Sequence, residues 1–284
     1  MRGAPGGDEG NEGIKPVIGP LAAKSIEDLE LFQKAVIDQE PWDVDPVLVP
    51  LPWRTVEPSK DITVGIMWDD GIVAPHPPIT RGLKQAKEKL EAAGVKVVDW
   101  EAYKHDVGWE IVSALYFPDT GVSTRTKLAK SGEPYHPLTE WALTYAVEKP
   151  LTLSELWTYH ARREKYRAEH HRLMKDRGVD FILCPTYPGV AAIEGTPQYW
   201  HYTAIYNVLD LPTAIFPTGL FQDPKLDVLP AYEPRSDVEA REWKKYAEPE
   251  QYIGAPICLQ LAGKHFKDEE TLAAAKLISG LLGA

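Results

Sequence analysis

By type, the side chains of this 284-residue chain that could do chemistry are its serines, its eight histidines, its two cysteines and a large set of tyrosines. The serines are Ser25, Ser59, Ser113, Ser123, Ser131, Ser154, Ser236 and Ser279, and no two are adjacent. None sits in a Gly-rich loop between a predicted strand and a predicted helix. "GVSTR", residues 121–125, lacks the second glycine of a nucleophile elbow. His160, His170 and His171 share a predicted helix, in "YHARREKYRAEHHR". On a helix, His170 and His171 point about 100° apart, and His160 and His170 do not form a one-face pair. No H-E-x-x-H is present, so these are expected to be solvated helix-face histidines and no metal site is expected. Asp69 and Asp70, in "WDD", end a predicted parallel strand. Ligand crevices lie at such ends in α/β sheets, and Asp also favours turns for its own reasons, so both readings stand.

The aromatic residues are weighted toward those with polar handles: nine Trp and thirteen Tyr against six Phe. "TYP" follows a fully apolar predicted strand, and "QYWHYTAIYN" follows within twenty residues. Tyr and Trp suit a pocket for an amphipathic or aromatic ligand. Thr186, Tyr187, Tyr202, Tyr206 and Asn207 are therefore the candidate pocket residues, with core and turn packing as the alternative.

The elements that must position them follow from periodicity. "ITVGIMW", "ITRGLKQAKEKLEAAG" and "VKVVDW" read as strand, helix and strand, a βαβ unit with a parallel pair. Residues 108–178 read as helical: one helix broken near Pro118, a second in "PLTEWALTYAVEK", and a long third that Thr152 and Glu155 can open with a capping box. "VDFILCPTYP" reads as a buried parallel strand. "HYTAIYNVLDL" is helical or irregular, and "PTAIFPTG" and "APICLQLAG" are two further buried strands. A long polar excursion separates those two. "DEETLAAAKLISGLL" is a terminal helix with Asp268 at its cap, and "KSIEDLELFQKAVID" is an early helix capped by Ser25. The fold class is α/β, with a mixed, mostly parallel sheet flanked by helices. Residues 1–10 are a flexible start and residues 11–284 a single domain.

The net charge of -11 argues against nucleic acid or an anionic membrane as partner. No apolar run approaches the length of a membrane span. Cys184 and Cys258 lie inside apolar runs and read as reduced core thiols, which favours a cytoplasmic protein. No P-loop or dinucleotide fingerprint occurs, and no cofactor is expected.

Four stretches, in order, carry a resemblance: "PVIGPLAAKSIEDLELFQKAV", "DPVLVPLPWR", "YTAIYNVLDLPTAIFPTG" and "IGAPICLQLAGKHFKDEETLAAAKLI". The chain resembles the carboxy-terminal half to two-thirds of the amidase-signature enzymes, in their fungal acetamidase-like and fatty-acid-amide-hydrolase-like branch. The resemblance implies a partial amidase-signature fold and carboxamide hydrolysis by a Lys, Ser, Ser triad. In that triad a second Ser relays protons between the nucleophile and a neutral Lys, and backbone N–H groups of a Gly-rich loop hold the oxyanion. The family's "GGSSGG" signature precedes "PVIGPLA", and the chain has no Ser-Ser pair. None of the family's catalytic residues can be placed on it.

The resemblance therefore implies an amidase scaffold missing its triad: a truncated or degenerate amidase, or a small-molecule-binding protein for an amide-like or aromatic ligand. The alternative is an enzyme repurposed for a non-serine reaction in the residual acyl pocket. A sheet lacking half its strands leaves faces and edges open, so a homo-oligomer or a complementary chain is expected as partner.

Overall fold

The computed structural model describes residues 25–46 and 48–283. The expected flexible start, residues 1–10, and the extended segment "PVIGPLA" lie outside the described residues. Among the latter, five strands form one mixed sheet in the order β2-β1-β3-β5-β4, with helices on both faces. The strands are β1 (Thr63–Ile66), β2 (Lys96–Asp99), β3 (Phe181–Cys184), β4 (Thr213–Phe221) and β5 (Pro256–Ala262).

The βαβ unit read from the sequence is present. β1 pairs in parallel with β2, and α2 (Pro77–Ala92) joins them. β1 also pairs in parallel with β3. β5 runs antiparallel to both β3 and β4. The polypeptide between β4 and β5 is 34 residues long in sequence terms, and it returns the chain without a crossover into the parallel register.

One face of the sheet is covered by α2 and by α9 (Asp268–Leu282), with α1 (Ile26–Ile37) against α9. Their core comprises Ile66, Leu83, Leu90, Leu183, Phe216, Leu259 and Ile278, all nearly inaccessible. The opposite face carries α3 (His105–Tyr116), α6 (Leu153–Asp176) and α7 (His201–Leu209). There Met67, Ile111, Leu115, Ile182, Tyr202 and Tyr206 form the core. Two shorter helices, α4 (Val122–Ser131) and α5 (Pro137–Leu143), follow α3. The break at Pro118 is as expected, while α5 stops at Leu143, short of the expected Lys149.

Local chemistry explains most boundaries. Thr152 and Glu155 form the full capping box that opens α6. Ser25 accepts from Asp28 N to open α1. The cap of α9 is Lys267, not Asp268, which is the first helical residue; its charge then favours the positive end of the helix dipole. The polar excursion contains a helix, α8 (Asp237–Lys244), opened by Ser236 accepting from Glu239 N. Ser236-x-x-Glu239 is the spacing of a capping box, the signal in the sequence that marks this helix.

The long helix corrects the reading of its histidines. His171 is exposed, but His170 is buried against Trp100 with ring centroids 5.7 Å apart, and His160 Nε2 is buried without a partner. A face chosen for Tyr166 and Met174 takes His170 with it, because the three recur at i, i+4 and i+8.

Two predictions follow from this packing. Gly108 lets α3 approach α7 closely: a Cβ there would stand 2.3 Å from Ile205 Cδ1 and 3.0 Å from the Tyr166 hydroxyl. Gly108→Ala should destabilise the fold by about 1–3 kcal/mol, read as a lowered urea midpoint. Separately, burial lowers the His76 and His170 pKa values to about 4 and those of His105 and His201 to about 3. The unfolded chain takes up these protons near pH 6.5 and the folded chain does not. Stability is therefore fully present above pH 6.5 and falls as pH drops toward 4, by about 1.4 kcal/mol per pH unit for each histidine. A thermal midpoint unchanged between pH 7 and pH 5.5 would contradict this.

Candidate functional site

The chain leaves β1 toward β2 on one side and leaves β3 toward β4 on the other, so the boundary between β1 and β3 is a topological switch point. Crevices for ligands form at the carboxyl ends of strands at such points. Here the two loops that emerge are tied to each other. Met67 N donates to Leu183 O at 2.9 Å, and His76 N to Pro188 O at 2.7 Å. That end of the sheet is filled by aromatic residues from the segment leading into α7 and from α8.

Asp70 sits at its centre, 2% exposed. Its Oδ1 accepts from the amides of Ile72 and Val73 at 2.9 Å, and its Oδ2 accepts from the Tyr199 hydroxyl at 2.6 Å. Burial raises its pKa to about 6, against the pull of the Tyr199 and backbone hydrogen bonds. Asp70 thus builds the turn after β1 and also anchors the aromatic wall. Asp69 stays at the surface, 3.5 Å from Arg235.

α8 supplies the second set of charges. Glu239 accepts from Ala74 N at 2.8 Å and from Arg235. Burial pushes this carboxyl up, but the Arg235 guanidinium and the backbone donors outweigh it and hold its pKa at about 2. Glu242 Oε2 accepts from the Tyr187 hydroxyl at 3.1 Å and from Lys245 Nζ at 2.7 Å. Burial lowers the Lys245 pKa, while Glu242 opposes that shift. Trp243 Nε1 donates to Ala74 O at 2.9 Å. His76 Nε2 donates to Glu242 O at 3.1 Å, leaving a buried Nδ1 without a partner beside Gly189.

The sequence-nominated residues converge on this end of the sheet without facing one cavity. Thr186 and Tyr187 are half-buried just after β3, and Tyr187 points to Glu242. Tyr202 is fully buried and donates to Val73 O at 2.6 Å. The Tyr206 hydroxyl lies 3.2 Å from Cys184 Sγ, and Asn207 Nδ2 donates to the Tyr116 hydroxyl at 2.7 Å. Burial raises the Cys184 pKa to about 11, so the thiol is protonated at neutral pH. Both cysteines are free.

Two clefts occur elsewhere. One, of about 290 Å³, lies at the opposite end of the sheet between Ile62, Asp180, Phe181, Lys264 and Ala274. The other, of about 400 Å³ and open, lies between Ala191–Ile193 and Gln251–Ala255. Neither is lined by the five nominated residues. No group of three metal-ligating side chains occurs among the described residues. Glu239, Glu242, Lys245, His76 and Tyr199, which make most of the network, were not singled out by the sequence. They become neighbours only when α8 folds across the two loops.

Comparison with known proteins places this arrangement. The family model described as Amidase matches residues 9–272. A "putative amidase" of Schizosaccharomyces pombe is 40% identical over 99% of this chain and 52% of its own length. The acetamidase of Emericella nidulans is 32% identical over 97% of this chain and 52% of its own length. The solved structure of a fatty acid amide hydrolase superposes with a TM-score of 0.92 at 40% identity, over 97% of this chain and 50% of that one. The chain spans about half the length of these relatives.

The Asp70 turn gives a prediction. A carboxyl whose folded pKa is raised loses stability as pH rises from its unfolded value toward the folded one. Asp70→Asn cannot ionise and escapes that loss. Relative to the native chain, Asp70→Asn should gain on the order of 2–3 kcal/mol between pH 4 and pH 7, measured as the change in urea midpoints at the two pH values.

Proposed function

Because the chain belongs to the amidase family, we propose that it is an amidase scaffold without the Lys-Ser-Ser triad, a carboxy-terminal portion of the fold that does not hydrolyse carboxamides by itself. The observation that carries this reading is the placement of its serines. No Ser-Ser pair exists in the sequence. Ser25 and Ser236 are helix caps. Ser59 accepts from the Asp61 amide, and Ser113 and Ser131 turn back onto backbone carbonyls. Ser123 is bonded to Asp119. A nucleophile needs a competent base within hydrogen-bond reach and oxyanion donors opposite; of these six serines only Ser123 meets a carboxylate, and Asp119, whose pKa the Ser123 and Gly121 hydrogen bonds lower against burial, is a poor base.

In this reading residues 11–284 are one domain, and the crevice at the β1/β3 boundary is the acyl side of a larger pocket. Thr186 and Tyr187 line it, while Tyr202, Tyr206 and Asn207 hold α7 behind it. The ligand is a small amide-like, aromatic or amphipathic molecule. The acidic charge and free cysteines fit a cytoplasmic protein that avoids nucleic acid. No helix among the described residues is long and apolar enough to cross a membrane. The alternative of a repurposed enzyme needs a titratable group that opens onto a pocket. The closure of Asp70 by Tyr199 and the Asx turn, and the protonated state of Cys184, weigh against it.

Treatment of the purified 284-residue chain with a fluorophosphonate, followed by intact mass, tests the reading. The expected result is no adduct on protein that circular dichroism shows to be folded. A stoichiometric adduct on any of the eight serines would sink it.

A further inference from the structure

The cleft of about 290 Å³ lies where β1 and β3 begin, at the end of the sheet away from Asp70 and α8, and it has a construction of its own. One wall is the segment 51–62 that leads into β1, and that segment is fixed at two points. At the first, Arg54 N donates to Glu269 Oε1 at 3.1 Å and Arg54 Nη1 to Glu270 Oε1 at 2.8 Å, on the first turn of α9. At the second, Thr63 N donates to Asp180 Oδ2 at 3.0 Å and Asp180 N donates to Thr63 O at 2.9 Å. The residues between these anchors form an arch, and the cleft lies between the arch and α9. Local chemistry shapes the arch. Pro58 fixes its own φ and biases Glu57 toward extended backbone. Ser59 Oγ accepts from Asp61 N at 3.1 Å.

The floor of the cleft is apolar: Phe181, Ala273 and Ala274 are buried, and Ile62 is half-buried. Its rim is charged, and unevenly so. Lys264 Nζ donates to Asp180 Oδ1 at 2.8 Å, and Lys267 Nζ donates to Glu270 Oε1 at 2.9 Å, so each lysine that lines the cleft already has a carboxylate. Glu57 and Asp61, both exposed on the arch, differ. Neither side chain makes a hydrogen bond or ion pair with any other group among the described residues. The lining therefore holds four carboxylates against two ammonium groups, and the two unmatched negative charges both sit on the arch. A small cavity with an apolar floor and unmatched charge of one sign at its rim selects its occupant. A bare metal ion would leave the floor in water. An anion would face unmatched carboxylates, and its cationic partners are already engaged. A neutral apolar molecule would leave the rim charge unanswered.

We propose that this cleft is a binding site for a small organic cation, a primary alkyl- or arylalkyl-ammonium. Its charged head meets the Glu57 and Asp61 carboxylates, and its apolar body lies on Phe181, Ala273 and Ala274. An ammonium has three donors, so one head group can serve two carboxylates at once. The apolar body leaves water as it covers the floor, which supplies the affinity that an exposed ion pair alone lacks. The volume stands near the lower end of small-molecule pockets, about 300 Å³, and so limits the body to a short chain or a single ring. The arch is held at both ends before anything binds, so little backbone ordering opposes binding. The site uses none of the five residues nominated for the acyl side and does not depend on whether the chain hydrolyses carboxamides.

The test titrates the isotope-labelled 284-residue chain at neutral pH with n-hexylammonium, 1-hexanol and hexanoate, three probes that share a tail and differ in charge, and follows the backbone amides by NMR. The expected result is saturable shifts from hexylammonium at the amides of 56–62, 264–267 and 273–274, with the other two probes weaker by about tenfold or more. Glu57→Gln combined with Asp61→Asn, both at exposed positions, should weaken hexylammonium by about fivefold and leave the rest of the spectrum unchanged. Glu101→Gln combined with Glu133→Gln removes the same charge from exposed positions outside the cleft and should leave the affinity unchanged. Hexanoate binding as tightly as hexylammonium would assign the cleft to an anion on Lys264 and Lys267. Hexanol binding as tightly would make it an apolar cavity blind to charge. Either result overturns the proposal, as would an absence of saturable shifts, shifts centred elsewhere, or an arch variant that binds like the native chain.

Discussion

β1 and β3 are four-residue parallel strands buried at every position, and water does not reach their carboxyl ends. Each polar group in the turns that leave them has to find a protein partner or cost about 1–3 kcal/mol. Much of the molecule's irregular structure answers that constraint. Asp70 accepts the amides of its own turn and the hydroxyl of Tyr199. Tyr202 and Trp243 donate to the carbonyls of Val73 and Ala74, and Glu239 accepts the amide of Ala74. Three segments distant in sequence are pinned together by the needs of one loop.

The same dryness sets the ionisation of the interior. The buried His76, His105, His170 and His201 are held neutral, the Asp70 carboxyl titrates well above the ordinary carboxylate range, and the Cys184 thiol keeps its proton. Shifted groups often mark catalytic sites. Here each shift is explained first by burial, and the carboxylates and hydroxyls involved are satisfied by protein partners. Strongly shifted groups and an exposed reactive surface are therefore different features in this chain. The network ties the loops at this end of the sheet to α7 and α8.

That end is also where the sheet is least symmetric. The helical layer of α3, α6 and α7 covers one face as far as Gln260 and stops, while α2 and α9 cover the other face out to β4. The sheet ends on this side in a long, uncharged strand, with Ile215 and Phe221 exposed on its open face.

Local signals in the sequence determined local structure. The alternation of strand and helix over 62–100 gave the parallel βαβ unit, and Thr152 with Glu155 gave the start of α6, because pairing and capping depend on residues a few positions apart. The succession of strand and helix periods gave the α/β class, and the four family stretches gave its amidase-signature form. Ser236 and Glu239 carried an equally local signal for α8, masked by the polar residues around it. The tertiary structure decided what depends on who is adjacent. His170 is buried because its helix face meets Trp100. β5 enters antiparallel because of the return after β4. Tyr187 reaches Glu242, and Tyr202 reaches Val73, across separations of 55 and 129 residues. Burial, and the pKa shifts it causes, are properties of neighbours in space, and no periodicity along the chain encodes them.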